Sequence, residues 1–155
     1  MPQPSPQPVI TLVTQDKKRF LDLLLLADES EDAVDNYLER GDMFVMAINQ
    51  LPVAVCVVTN NGDGVFEVQN LAVSANQQRR GHGTRLLAYV RERYRGCGTK
   101  LLVGTGDTVK TVAFYQAAGF TFDHRVPRGI ANAYNHPVIE DGVVLIDKVY
   151  FSQDL

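Results

Sequence analysis

The chain has 155 residues, of which 45% are hydrophobic and 21% are charged, and its formal net charge is −3 at pH 7. These fractions are those of an ordinary globular protein, and the length favours one domain with a sizeable core. The acidic balance argues against nucleic acid as a partner, because general nucleic-acid binding requires a basic surface. Two cysteines without clustered histidines predict neither a structural disulfide nor a metal site.

The sequence predicts neither a signal peptide nor a membrane helix, so we expect a cytoplasmic location and no membrane partner. Residues 1–8 are rich in proline and lack the basic and apolar regions of a signal peptide, so we expect a disordered arm followed by a single domain over 9–155. The longest leucine run, Leu23–Leu26, is far shorter than the roughly 20 residues that a membrane helix needs.

The N-terminal third predicts a strand and two helices. Val9–Val13 favours a strand, and a helix is expected from Thr14 or Asp16 to about Ala27, with an apolar stripe at i, i+3, i+4 and i+7 facing a sheet. Ser30 is a typical N-cap for a second helix, which Gly41 would end.

The remaining elements are predicted from apolar runs and from the turn residues between them. Strands are expected at 43–48, 51–58 and 65–73, and a helix at 81–95. A short strand at 100–103 is broken by Gly104-Thr105-Gly106, and a helix at 109–117 stops at Gly119. A strand at 120–126, a polar excursion with proline and glycine over 127–142 and an alternating strand at 143–151 complete the chain. The last strand either closes the sheet or pairs across a dimer, so a monomer and a homodimer both stay open.

The stretch between the third strand and the following helix predicts a cradle for a phosphorylated ligand. The N–H groups at the start of a helix have no intrahelical partners, and the helix dipole adds partial positive charge there. Gly81 and Gly83 allow a ligand to approach the main chain closely, and Arg79, Arg80 and Arg85 supply further positive charge.

Two common nucleotide motifs do not fit this cradle. The chain contains no G-x-x-x-x-G-K-[ST] run, which a P-loop requires. A dinucleotide-binding G-x-G-x-x-G needs a third glycine, but Leu86 stands at that position. The Gly104-Thr105-Gly106 triplet is a weaker candidate, because it is equally well interpreted as a loop that ends a strand.

Two motifs resemble the signatures of the GNAT superfamily of N-acetyltransferases. Gln78-x-x-Gly81-x-Gly83 resembles its acyl-CoA signature [Q/R]-x-x-G-x-[G/A], and 112–120 resembles its F-Y-x-x-x-G-F helix. Together they span 65–122, and the order of predicted elements also resembles the family fold. The resemblance implies a stand-alone bacterial-type member of α/β (α+β) class, with a mixed, mostly antiparallel sheet of six to seven strands and about four helices.

The resemblance implies acetyl-CoA as co-substrate, bound by the cradle and by the later helix. The backbone N–H of Val73 matches the donor to the thioester carbonyl, and main-chain amides from Arg79 to Thr84 match the pyrophosphate site. Thr108 stands where the family often has Asn, so it offers fewer hydrogen bonds. The expected cofactor-binding residues are Leu71, Ala72, Val73, Gln78, Arg79, Arg80, Gly81, His82, Gly83, Thr84, Thr108 and Phe114.

The resemblance also implies an enzyme in which an amine attacks the thioester directly. Tyr115 matches the acid that protonates the thiolate, because a phenol stays protonated near neutrality. Glu67 matches a catalytic base found in some members. We expect a small-molecule amine as acceptor. Two alternatives are a protein N-terminal or lysine amine, and a catalytically silent acyl-CoA sensor. Residues of the 127–142 excursion could line the acceptor pocket, and two of them are carboxylates that would attract a cationic amine. The residues are Tyr134, Asn135, His136, Glu140 and Asp141.

Overall fold

The computed structural model describes residues 6–155, so only the last three residues of the expected arm fall within it. Seven strands form a mixed sheet in the order β1-β2-β3-β4-β5-β9-β6, and β7 and β8 form a separate hairpin. The strands are β1 Val9–Val13, β2 Asp42–Ile48, β3 Leu51–Asn60, β4 Val65–Val73, β5 Lys100–Gly106, β6 Thr121–Val126, β7 Ile139–Glu140, β8 Val143–Val144 and β9 Lys148–Asp154.

The sheet combines antiparallel and parallel pairs of strands. β1 with β2, β2 with β3, β5 with β9 and β6 with β9 are antiparallel, whereas β4 and β5 are parallel and are joined through a long helix, as a parallel crossover requires. The helices are α1 Leu21–Leu24, α2 Glu31–Asp35, α3 His82–Tyr94, α4 Val109–Ala117 and α5 Gly129–Ala133. In the part of the chain that the structure describes, no helix is long and apolar enough to span a bilayer.

The described residues divide into two compact units. The first contains the chain up to Thr59 together with Gln69–Val90. Its core is built from α1, α2 and the inward residues of β2 and β3, with Ala72 of β4 in the same cluster. Cys56 of β3 is fully buried in this unit.

The second unit contains Asn60–Val68 and Arg91–Leu155. Phe66 of β4 stacks on Tyr94 of α3 with ring centroids 4.4 Å apart. Buried side chains of β5 and β9, among them Leu101 and Phe151, form the core of this unit. Cys97, in the turn after α3, is exposed.

Both N-terminal helices are shorter than the sequence predicts. The stretch expected to be one helix up to about Ala27 begins with a 3₁₀ turn at Lys17–Phe20 and continues as only four α-helical residues. Ser30 caps α2 as predicted, since its side chain accepts a 3.2 Å hydrogen bond from Ala33 N. The α2 helix ends at Asp35 rather than near Gly41, and the following turns are closed by Lys17, whose ammonium donates to the carbonyl oxygens of Leu38 and Gly41.

The prediction that Gly104-Thr105-Gly106 ends a strand is wrong, because β5 runs through all three residues. A Cβ at Gly104 would lie within 3 Å of Lys148 and Tyr150, and one at Gly106 would collide with Leu145. These glycines therefore allow close approach of neighbouring side chains. The last strand also begins later than predicted, at Lys148, and closes the sheet between β5 and β6.

Candidate active site

The cradle lies in the first unit, where β4 turns into α3. Ser74 N donates a 2.8 Å hydrogen bond to Val53 O, and a 3₁₀ turn at Ala75–Gln77 carries the chain away from the strand. The side-chain amide of Gln78 donates back to Val73 O at 3.1 Å. Gln78, the first residue of the Q-x-x-G-x-G motif, thus connects the turn to the last residue of β4.

The backbone of the cradle has left-handed residues on the approach to the helix. Arg79 has φ 64° and Gly81 has φ 82°. The first α-helical hydrogen bond runs from Arg85 N to Gly81 O at 3.0 Å, so the N–H groups of residues 82–84 have no intrahelical partner. Turns of this kind point successive N–H groups into one concavity and bind anions.

The space beside Gly81 is open. A Cβ built at this position would meet no protein atom within 4 Å. Arg79, Arg80 and Arg85 are exposed at the surface of the cradle. The Nε2 atom of His82 is buried and has no hydrogen-bond partner. The cradle therefore combines bare main chain, positive charge and one unused ring nitrogen.

Three predicted residues lie together on α4, in the second unit. Thr108 is the N-cap, and its hydroxyl accepts a 3.3 Å hydrogen bond from Thr111 N. Tyr115 is buried, with its ring edge-on to Phe114 at 5.1 Å and to Phe120 at 5.7 Å. The Tyr115 carbonyl also accepts the N–H of Phe120 at 3.0 Å, which ties the helix end to the strand that follows.

The candidate base Glu67 also lies in the second unit, on β4. Its side chain is largely buried, and its Oε1 accepts a 2.8 Å hydrogen bond from the side-chain amide of Asn61. Asn61 stands in the turn between β3 and β4. In the sequence this asparagine belongs to a turn signal, and no local pattern predicts its hydrogen bond to Glu67.

A buried polar residue on the same strand is Asn70, which is 3% exposed. Its amide nitrogen donates to Leu24 O at 2.9 Å and to the Tyr37 hydroxyl at 3.0 Å. The sequence gives a weak signal for it, namely a carboxamide directly before the apolar Leu71-Ala72-Val73 run.

The excursion after β6 places its polar residues at the surface. Glu140 Oε1 accepts a 3.3 Å hydrogen bond from the Thr111 hydroxyl of α4, and His136 Nδ1 lies 3.1 Å from Asn135 Oδ1. Glu140 thus ties the β7–β8 hairpin to α4. Its expected attraction for a cationic amine stays a prediction.

Comparison with known proteins agrees with this architecture. The profile of the acetyltransferase (GNAT) domain matches residues 39–122. A relative from Bacillus subtilis, the uncharacterized N-acetyltransferase YvbK, is 30% identical over 148 residues, which cover 94% of this chain and 96% of the relative.

Solved structures extend the likeness to nearly the whole chain. A GNAT family acetyltransferase from Elizabethkingia anophelis with acetyl-CoA bound has a TM-score of 0.90 and 27% identity, covering 96% of this chain and 98% of that chain. The IAA acetyltransferase from Bacillus cereus has a TM-score of 0.89 and 30% identity, covering 96% and 100%. The family match includes both signatures described above, and the chain therefore belongs to the GNAT family of acetyltransferases.

Proposed function

We propose that this protein transfers the acetyl group of acetyl-CoA to the primary amine of a small molecule, by direct attack in a ternary complex. The observation that carries the proposal is the cradle, in which left-handed Arg79 and Gly81 lead into the outward-pointing N–H groups of α3.

Coenzyme A fits the residues of the cradle. Its pyrophosphate requires several N–H donors and close approach to the main chain, and the open space beside Gly81 provides that approach. The exposed Arg79 and Arg80 would add charge-assisted hydrogen bonds. Related proteins from Elizabethkingia anophelis and Bacillus subtilis have been solved with acetyl-CoA and with CoA, respectively.

Each of three residues has one task in the proposed reaction. Glu67 accepts a proton from the acceptor ammonium, since only the neutral amine has a lone pair for attack. The Val73 N–H donates to the carbonyl oxygen as negative charge develops on it. The nitrogen–carbon bond forms, the carbon–sulfur bond breaks, and Tyr115 gives its proton to the departing thiolate. The attacking nitrogen sheds its second proton as the amide forms, and that proton restores the Tyr115 phenol through solvent.

The principal test is acetyl transfer itself. Thiol release from acetyl-CoA is followed across a panel of small primary amines, and the acetylated products are identified by mass spectrometry. We expect thiol release to depend on one class of amine and to match the acetylated product in amount. If the protein binds acetyl-CoA but releases thiol with no small amine, peptide or protein amine, the proposal fails and a silent acyl-CoA sensor takes its place.

A further inference from the structure

One face of the sheet in the second unit carries Glu67. Residues paired across neighbouring strands point to the same face, and side chains along one strand alternate between the two faces. Glu67 of β4 pairs with Leu102 of β5, so Gly104, two residues further along β5, lies on this face as well. Gly104 pairs with Tyr150 of β9. We call this side of the sheet the Glu67 face.

Two side chains of β9 lie over Gly104 on the Glu67 face. A Cβ atom at Gly104 would come within 3 Å of Cε of Lys148 and of Cε1 and Cζ of the Tyr150 ring. The Lys148 ammonium lies 5.1 Å from the centre of this ring, and the His124 imidazole stacks on the same ring with centroids 4.4 Å apart. Because Gly104 has no side chain, the tip of Lys148 crosses from β9 onto β5.

The tip of Lys148 is therefore close to the candidate base. Adjacent strands lie about 4.8 Å apart and each residue advances a strand by about 3.3 Å, so the Cα atoms of Gly104 and Glu67 are about 8 Å apart. The Lys148 side chain is half-buried. Its four-carbon stem is flexible, so the ammonium approaches the Glu67 carboxylate by rotation of side-chain bonds alone.

The ammonium of Lys148 is not engaged by a carboxylate. The chain has five lysines, and all of them lie in the part that the structure describes. Lys17 donates to carbonyl oxygens, and Lys18 and Lys100 form salt bridges. Lys110 is exposed in the first turn of α4. Among the described residues, Lys148 is thus the lysine that combines a place on the Glu67 face with an ammonium outside any salt bridge.

We propose that Lys148 is a site of self-acetylation, with acetyl-CoA bound to the same molecule as the donor. The inference rests on the proposed function, because it uses the same donor and the same base. Glu67 takes a proton from the Lys148 ammonium, since only the neutral amine has a lone pair for attack. The nitrogen–carbon bond forms, the carbon–sulfur bond breaks, and Tyr115 protonates the thiolate. The nitrogen then sheds its second proton, which restores the Tyr115 phenol through solvent.

Acetylation changes the Glu67 face in a defined way. It removes the positive charge of Lys148 and with it the cation–π contact to Tyr150. The amide that forms has no basic lone pair and does not attack a second thioester. The modification therefore stops at one acetyl group on this lysine.

The test is incubation of the full chain with acetyl-CoA and no added amine, followed by mass spectrometry of the intact protein and of its peptides. We expect one acetyl group per chain, on Lys148, at a first-order rate that does not change with protein concentration. Lys148→Arg should abolish this modification. Lys100→Arg is the matched control, because Lys100 lies on the same face but is bound to Asp123 at 2.8 Å, and this variant should be acetylated at Lys148 as fast as the wild type.

Spontaneous acetylation is measured in the same samples. The exposed Lys110 reports it within each digest, and Glu67→Gln should acetylate Lys148 about 100-fold more slowly than the wild type does. An unmodified Lys148, equal rates at Lys110 and Lys148, equal rates in wild type and Glu67→Gln, or a rate that rises with protein concentration overturns the inference.

The outcome is distinguishable from that of the proposed function. Acetyl transfer to a small amine with Lys148 unmodified supports the proposed function and overturns self-acetylation. Acetylation of Lys148 that depends on Glu67, in a protein that accepts no small amine, supports self-acetylation and overturns the small-molecule acceptor.

Discussion

Asn61 donates a 2.8 Å hydrogen bond to the carboxylate of Glu67, and thereby holds the candidate base from the turn that precedes its strand. A carboxylate held by a neutral amide keeps a defined orientation while it remains able to accept a proton. Glu67 lies within β4, and the bounds of this strand agree with those predicted from the sequence.

Substitution of Glu67 by Gln should remove the base while preserving an oxygen for Asn61. We expect kcat to fall by about 100-fold, and the limb of the kcat–pH profile that reports this carboxylate to disappear. The measurement is the rate of acetyl transfer at saturating amine from pH 5 to 10. An unchanged profile would remove Glu67 from the mechanism. Asn61→Ala serves as a comparison and should lower kcat less, because the carboxylate is still present.

Tyr115→Phe tests the proposed acid. The substitution retains the ring that packs edge-on against Phe114 and Phe120, so the chief loss is the hydroxyl proton. We expect kcat to fall by about 10- to 1,000-fold with little change in the KM for acetyl-CoA. Steady-state kinetics measure both values, and urea unfolding measures stability. A wild-type kcat would show that another group protonates the thiolate.

Gly81→Ala tests the cradle, and Gly96→Ala provides a matched control beyond the other end of α3. Both glycines have positive φ, 82° and 80°, and neither Cβ would meet protein atoms within 4 Å. Each variant should therefore lose about 1 kcal/mol of stability from the backbone alone. Only Gly81→Ala places a methyl group where the pyrophosphate is expected, so only this variant should bind acetyl-CoA more weakly by calorimetry. Equal affinities in the two variants would contradict this location of the pyrophosphate.

Lys17→Met should destabilise the first unit. The Lys17 side chain is 7% exposed, and its ammonium donates to Leu38 O at 2.8 Å and Gly41 O at 2.7 Å. Methionine has a similar length but no donor, so two carbonyl oxygens would lose their partner at a cost of about 1–3 kcal/mol. Urea unfolding measures the loss. Lys18→Met removes a neighbouring but exposed lysine and should cost less, because surface ion pairs contribute little.

Asp123→Asn should make the free energy of unfolding less dependent on pH in the acidic range. Hydrogen bonds from Lys100, then from His124, hold the pKa of the Asp123 carboxyl well below its usual value near 4. A depressed folded-state pKa stabilises the protein above the unfolded-state pKa, and this contribution is lost as pH falls through the folded-state pKa.

The wild type should therefore be more stable than Asp123→Asn by about 1–2 kcal/mol above pH 5. The difference should narrow as the pH falls below 4. Unfolding curves at pH 3, 4 and 7 measure it. A difference that is the same at all three values would show that the charge of Asp123 does not contribute.

The fold was predictable where turn residues delimit an element. β4 and α4 agree with prediction to the residue, because Gly62 and Gly64 precede the first and Gly119 follows the second. The N-terminal helices were predicted too long. An apolar stripe specifies which residues face the core, but a 3₁₀ turn and a short helix place the same residues inward, so the stripe does not determine length.

The turn between β4 and α3 was predictable at one position. Gly81 has φ 82°, a left-handed conformation that favours glycine. The hydrogen bonds of Asn61 and Asn70 were not predictable, because a side-chain partner on another element is not encoded in a local pattern. Asn70 meets Leu24, which is 46 positions away, and no local pattern encodes such a contact.

The different exposure of the two cysteines gives an internal calibration for an assay that measures the thiol released from acetyl-CoA. The thiolate is the reactive form, and burial raises the pKa of the Cys56 thiol to about 12, so this residue is inert in the folded protein. The exposed Cys97 is open to the reagent. A colorimetric thiol reagent should therefore titrate one equivalent per folded chain and a second only on unfolding. The same reagent would report turnover, protein concentration and loss of the native state.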